Sequence, residues 1–295
     1  GGASVRRIRY HSTTALLHHS TRPQSGLLLS SLSFLLRYNP PMLLVIDIGN
    51  TSMVLGIFEG EELKYSWRVA TREHQSSDEY AVLYRNLFQL EGVAPDQVKG
   101  IAICSVVPPL DEVFSNLSKQ YFSVDPLFVD PEKQDLMPIR YHPAADVGAD
   151  RIASAVAAFE LVGGPAIVVD FGTATTFDAI SPKGEYLGGI IAPGVGISAD
   201  ALFSRASKLP RIDIQKPEKL IGDSTVTSIQ SGLYFGYVGL VEGILARMKE
   251  ELGGVQVVAT GGLASLVAGD ARTIDRVEEN LILYGLRLFY NHLNS

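Results

Sequence analysis

Two aspartate-bearing turns hold the side chains of this sequence best suited to chemistry. Residues 43–51 read Leu-Leu-Val-Ile-Asp-Ile-Gly-Asn-Thr, and residues 167–175 read Ile-Val-Val-Asp-Phe-Gly-Thr-Ala-Thr. In each, an apolar run ends in an aspartate (Asp47 or Asp170), then one apolar residue, a glycine and an amide or hydroxyl residue. A second run follows, Met53 to Phe58 in one copy and Thr176 to Ile180 in the other, which is the pattern of a β-hairpin with a tight turn. Glycine lets backbone N–H groups approach an oxyanion, and Asn50, Thr51, Ser52 and Thr173 add neutral donors beyond what an ordinary turn needs. A carboxylate repels phosphate, so each aspartate requires a cation between the two. The pair therefore points to a polyphosphate and its metal ion clamped between two related halves.

A different chemistry is offered by Gly148-Ala-Asp-Arg151, which opens a helical run, with Tyr141-His-Pro upstream. Asp150 can be a simple helix cap. It can equally take a proton from an alcohol while Arg151 binds an anionic group. Spacing alone leaves both readings open. Gly188-Gly-Ile-Ile-Ala-Pro-Gly194 and Thr260-Gly-Gly-Leu-Ala264 read as glycine turns at strand ends, the second where a strand hands over to a helix and its N–H groups suit a phosphate or ribose.

The elements that must position these groups alternate in a regular way. Leu43–Ile48, Ser52–Phe58 and Glu61–Val69 read as three antiparallel strands. Helix Ser76–Leu90, strand Gly100–Val106, helix Leu110–Tyr121, strand Leu127–Val129 and helix Asp150–Val162 follow. The pattern then restarts with strands Ala166–Asp170, Thr175–Ser181 and Glu185–Ile190. Helix Ser228–Leu252, strand Val255–Ala259 and helix Arg276–Leu293 complete it. This is an α/β chain with an internal duplication, its halves at 42–164 and 165–295 and its ligand cleft between them.

Composition bounds the rest. The chain has 295 residues, 46% of them hydrophobic, enough for a substantial core. No apolar run reaches the roughly 18 residues of a membrane helix. The single cysteine, Cys104, excludes an intramolecular disulfide, fits a reducing compartment and reads as a small core residue. Residues 1–41 hold five Arg and no acid; the other 254 residues keep 20 Lys and Arg against all 32 Asp and Glu, a net −12 where the whole chain has −7. An acidic body argues against a nucleic-acid partner. The basic leader mimics a transit peptide, but Met42 directly precedes the first strand, so a disordered upstream extension is expected at 1–41.

The motifs stand in an order that resembles the type III pantothenate kinases: Asp47-X-Gly-Asn-Thr51, Tyr141-His-Pro with Gly148-Ala-Asp-Arg151, Asp170-Phe-Gly-Thr-Ala-Thr175, Gly188-Gly-X-Ile-X-Pro-Gly194 and Ser228-Ile-Gln-Ser-Gly232. The resemblance spans 42–295. It implies a duplicated ribonuclease-H-like fold of the actin-like ATPase superfamily, with two related halves around a central cleft. It implies ATP-dependent phosphorylation of pantothenate to 4′-phosphopantothenate, the first step of coenzyme A synthesis, in a cytoplasmic homodimer that uses Mg²⁺ and a monovalent cation, K⁺ or NH₄⁺. By position, Asp47, Ile48, Gly49, Asn50, Thr51, Ser52, Met53 and Val54 would form the first ATP loop, with Asp47 organising Mg²⁺. Thr173 would touch ATP and Asp170 would hold the monovalent cation. Asp150 would be the general base, and Tyr141, Gly148, Ala149, Arg151 and Thr225 would contact pantothenate. The alternatives are another small-molecule kinase of the superfamily and a non-catalytic transcriptional accessory factor.

Overall fold

A computed structural model describes residues 41–206 and 209–294. The expected leader, apart from its final residue Pro41, lies outside the described residues. Apolar runs buried on both faces form the central strands of the first sheet: β1 (Met42–Ile48), β2 (Ser52–Glu59) and β3 (Glu62–Ala70) run antiparallel, and β4 (Val98–Ser105) and β5 (Leu127–Phe128) add in parallel, in the order β3-β2-β1-β4-β5. Helices α1 (Ser77–Glu91), α2 (Pro108–Leu117) and α3 (Ala149–Val162) intervene or follow. The second half repeats the plan. β6 (Ala166–Phe171), β7 (Ala174–Ile180) and β8 (Tyr186–Pro193) run antiparallel, β9 (Gln256–Thr260) and β10 (Arg276–Val277) join in parallel, and the order β10-β9-β6-β7-β8 is the same topology read from the other edge. Its helices are α4 (Val195–Arg205), α5 (Thr225–Leu252), α6 (Ala264–Ala268) and α7 (Leu281–Leu293).

The period of two along β1 and β6 decides where the aspartates go. Leu44, Ile46 and Ile48 pack on α1 and α2, whereas Val45 packs on the opposite face with α3 and α7. Asp47 shares the Val45 face. In β6, Ile167 and Val169 pack against α5 and α6, and Val168 packs on the α3 and α7 side, which Asp170 shares. Helices α3 and α7 are thus sandwiched between the sheets in a common core with Val45, Ala102, Val168 and Val258. They cross closely: a Cβ on Gly285 would sit 2.0 Å from the Ala153 carbonyl oxygen. The N-terminal end of α3 is thereby fixed between the two inner faces.

Three local expectations change. The helix expected from Arg276 begins at Leu281, because Arg276 and Val277 pair with Val258 and Ala259 as an edge strand; sheet pairing overrides the helical propensity of the segment. The strand expected at Glu185–Ile190 runs on to Pro193, with Gly188 and Gly189 inside it, paired with Ala179 and Asp178, so the glycine turn read at 188–194 is reduced to its end at Gly194. Helix α4, absent from the expected elements, follows directly from Gly194, whose Cβ position is closed off by the Thr173 carbonyl oxygen at 2.2 Å.

Candidate active site

The two hairpin turns face each other across a cleft of about 220 Å³ between the sheets. The Gly49–Ser52 turn closes on itself through Gly49 N–H donating to the Ser52 carbonyl at 3.2 Å. Its Thr51 hydroxyl meets the Thr173 hydroxyl of the second turn at 3.0 Å, so the halves touch at the residues singled out as phosphate donors. Arg68 of β3 donates to the Ser52 hydroxyl at 3.0 Å and also lines the cleft. Gly261, at φ +92°, brings the β9–α6 connection so near that a Cβ there would lie 2.4 Å from an Asp170 carboxylate oxygen.

Asp47, Asp150 and Asp170 come from β1, α3 and β6 and all line the cleft. Burial first, then the negative charge of Asp150, pushes Asp47 up to about 7; the Cys104 thiol, donating to Asp47 at 3.1 Å, acts in the opposite sense. Burial and the charges of Asp150 and Asp178 push Asp170 to about 7 as well. Burial raises Asp150, offset by the Arg151 backbone N–H, which donates to its carboxylate at 2.9 Å, and by the Arg151 charge. Three carboxylates facing one cleft with so little opposing charge form a site that a cation would stabilise. Among the described residues no three acidic, His or Cys side chains stand close enough to hold an ion alone. Phosphate oxygens would have to complete its shell, as a Mg²⁺ of nucleotide sites requires.

Of the other expected residues, Gly49, Asn50, Thr51, Ser52, Val54, Arg151 and Thr173 line the cleft. Ile48 and Met53 are fully buried on the α1 and α2 side, so only their backbone can serve the loop. Ala149 is buried in the central core, and Gly148 leaves the space that the Asp150 carboxylate occupies, 2.2 Å from where its Cβ would be. Tyr141 and Thr225 do not line the cleft of this single chain. Tyr141 is an exposed side chain beside Gly188, and Thr225 is the first residue of α5, capped by Ser224. Thr176 of the second turn also lines the cleft, as do Arg68, Ser154, Asp178 and Glu279, which were not singled out from the sequence. For Asp178 a signal existed, an acid within the otherwise apolar stretch Phe177–Ile180 of β7.

Two sheets of one topology, each presenting an aspartate turn to a shared cleft, form a duplicated two-lobed α/β fold of the actin-like ATPase kind. A putative 2-dehydro-3-deoxygalactonokinase from Sinorhizobium meliloti has this fold at a TM-score of 0.54 and 14% identity, over 85% of this chain and 96% of that one. So does a conserved putative Baf family transcriptional activator from Campylobacter jejuni, at a TM-score of 0.53 and 18% identity, over 85% and 98%. Within this class the sequence is far more specific. The family model for type III pantothenate kinases matches residues 43–247, and the type III pantothenate kinase of Anaeromyxobacter sp. is 56% identical over 250 residues, 84% of this chain and 98% of that protein. The chain belongs to the type III pantothenate kinase family and is a phosphotransferase of that family.

Proposed function

We propose that this chain transfers the γ-phosphoryl group of ATP to the primary hydroxyl of pantothenate, with Asp150 as the general base. Family membership supports the substrate pair, and one observation supports the base: Asp150 stands at the N-terminal end of α3, between the two phosphate-type turns, with its carboxylate held by the Arg151 N–H. A carboxylate raised by burial is a better proton acceptor than an exposed one. Phosphoryl transfer asks mainly for positioning and charge neutralisation. The Gly49–Ser52 turn and Thr173 orient the phosphates from both sides, and Arg68 adds positive charge at the first turn. Mg²⁺ beside Asp47 and a monovalent cation, K⁺ or NH₄⁺, beside Asp170 would supply the remaining neutralisation. The two halves, 42–164 and 165–295, act as the lobes of the cleft.

The active form in this reading is a homodimer. Ile191 of the edge strand β8, Ile197 of α4, and Leu220, Ile221 and Val226 around the start of α5 are exposed, Ile221 at 85%. A second copy would cover them and could bring Thr225 to a neighbouring pantothenate site. Among the described residues no helix is long and apolar enough to cross a membrane, in keeping with a cytoplasmic enzyme. The test is ADP release with ATP and pantothenate, against glucose and acetate as acceptors. Turnover with pantothenate alone supports the assignment; turnover with the sugar or the acid instead would replace it by another kinase of the superfamily. No turnover with any acceptor would favour a non-catalytic role.

A further inference from the structure

Arg151 does not stand free at the cleft. Its Nε donates to Asp178 Oδ1 at 2.7 Å, and its Nη2 lies 2.7 Å from the same oxygen. Asp178 is almost wholly buried and is itself held on both oxygens: Tyr186 O–H donates to Oδ1 at 2.6 Å and the Thr176 hydroxyl donates to Oδ2 at 3.1 Å. The guanidinium also lies against the Tyr186 ring, 5.9 Å from its centre. Gly189 completes the seat, because a Cβ there would lie 2.8 Å from Arg151 Nη2 and 2.0 Å from the Phe177 carbonyl oxygen. Nη2 is buried without solvent contact and faces Asp178, so the donors left for a ligand are those of Nη1, which hydrogen-bonds no described residue. A guanidinium with one edge anchored and donors unspent, in a cleft wall, is built to receive a planar anion.

We propose that Asp178 is a positioning residue for substrate selection: clamped by Tyr186 and Thr176, it holds Arg151 so that the guanidinium's unspent donors read the carboxylate of the acceptor substrate. The assignment rests on the pantothenate reading above. Both Asp178 oxygens are taken by Arg151, Tyr186 and Thr176, so it acts only through Arg151. An unclamped arginine would have to be ordered on binding, and the carboxylate would compete with water and with Asp150 for it. Held in place, it favours an acceptor ending in a carboxylate over the same acceptor ending in a neutral group.

The experiment is steady-state kinetics of the full chain with pantothenate and with its neutral alcohol analogue pantothenol, on Asp178→Asn and Tyr186→Phe. A charged hydrogen bond is worth about 10- to 100-fold in binding. Asp178→Asn should therefore raise the KM for pantothenate at least about tenfold, lower the preference for pantothenate over pantothenol, and leave the KM for ATP within about twofold. Tyr186→Phe removes one donor while keeping both charges, and should shift the pantothenate KM alone by about threefold. It keeps the test available if Asp178→Asn does not fold. An unchanged pantothenate KM and selectivity in a folded variant overturns the proposal. So does an equal loss in kcat, ATP KM and thermal stability, which marks a merely structural role. Wild-type chain that turns over no pantothenate sinks the substrate reading itself, whereas wild-type turnover with indifferent variants sinks only the role of Asp178.

Discussion

Replacing Asp170 by Asn should make the metal-free protein more stable while disabling it. The side chain makes no hydrogen bond among the described residues, and burial with two neighbouring carboxylates pushes it from 3.8 to about 7. For a carboxylate raised in the folded state, the native protein holds more protons than the unfolded chain between pH 4 and 7. Stability therefore falls as pH rises through that window, and the penalty is complete above pH 7. A shift of about three units corresponds to about 4 kcal/mol as an upper bound. Solvent still reaches the cleft and the repulsion is shared with Asp150 and Asp178, so about 1–2 kcal/mol is the expected relief. For a protein of this size that is about 3–6 °C in Tm. The assay is thermal unfolding in EDTA at pH 8 and pH 5. Asp170→Asn should melt higher than wild type at pH 8, and the gap should close at pH 5, where the native carboxyl is already protonated. A variant that melts at or below wild type at pH 8, or whose advantage is undiminished at pH 5, would refute the electrostatic reasoning.

Other perturbations probe other parts of the molecule. Cys104→Ala removes the thiol that donates to Asp47 and should raise the Mg²⁺ requirement of turnover about tenfold, while Cys104→Ser, which keeps a donor, should not; equal behaviour of the two in a Mg²⁺ titration counts against the contact. Gly285→Ala drives a methyl onto the Ala153 backbone and should cost about 2 kcal/mol or more, visible as a lower urea midpoint; an unshifted midpoint would mean that α3 and α7 are not tightly crossed. Ile221→Asp should convert a dimer to a monomer in light scattering, and a dimer that survives places the interface elsewhere.

The sequence was most legible where period and turn chemistry coincide. The apolar runs Leu43–Ile48 and Ile167–Asp170 predict both strands, and the repeated Asp-X-Gly turn predicts the duplication that the two sheets display. It was least legible where a partner far along the chain decides. Arg151 read as a cation beside Asp150 that binds an anionic group, whereas its ion-pair partner Asp178 lies 27 residues away on β7. The reason for the glycines of β8 was not legible because it is steric: Gly189 makes room for Arg151 and the Phe177 backbone. Arg276 and Val277 look helical locally and become strand only because β9 offers an open edge. Thr225 and Tyr141 lie outside the lining of the cleft, so the turn chemistry that made the cleft legible says nothing of them.

The account turns on Asp150 as proton acceptor, and the most direct measurement is ADP release by Asp150→Asn with saturating pantothenate, alongside ATP affinity by calorimetry. Loss of the base should lower kcat by about 10²- to 10⁴-fold with ATP affinity within about twofold of wild type, because the amide keeps the side chain's size beside the Arg151 N–H. Near-normal turnover by a folded, ATP-binding Asp150→Asn protein would contradict it.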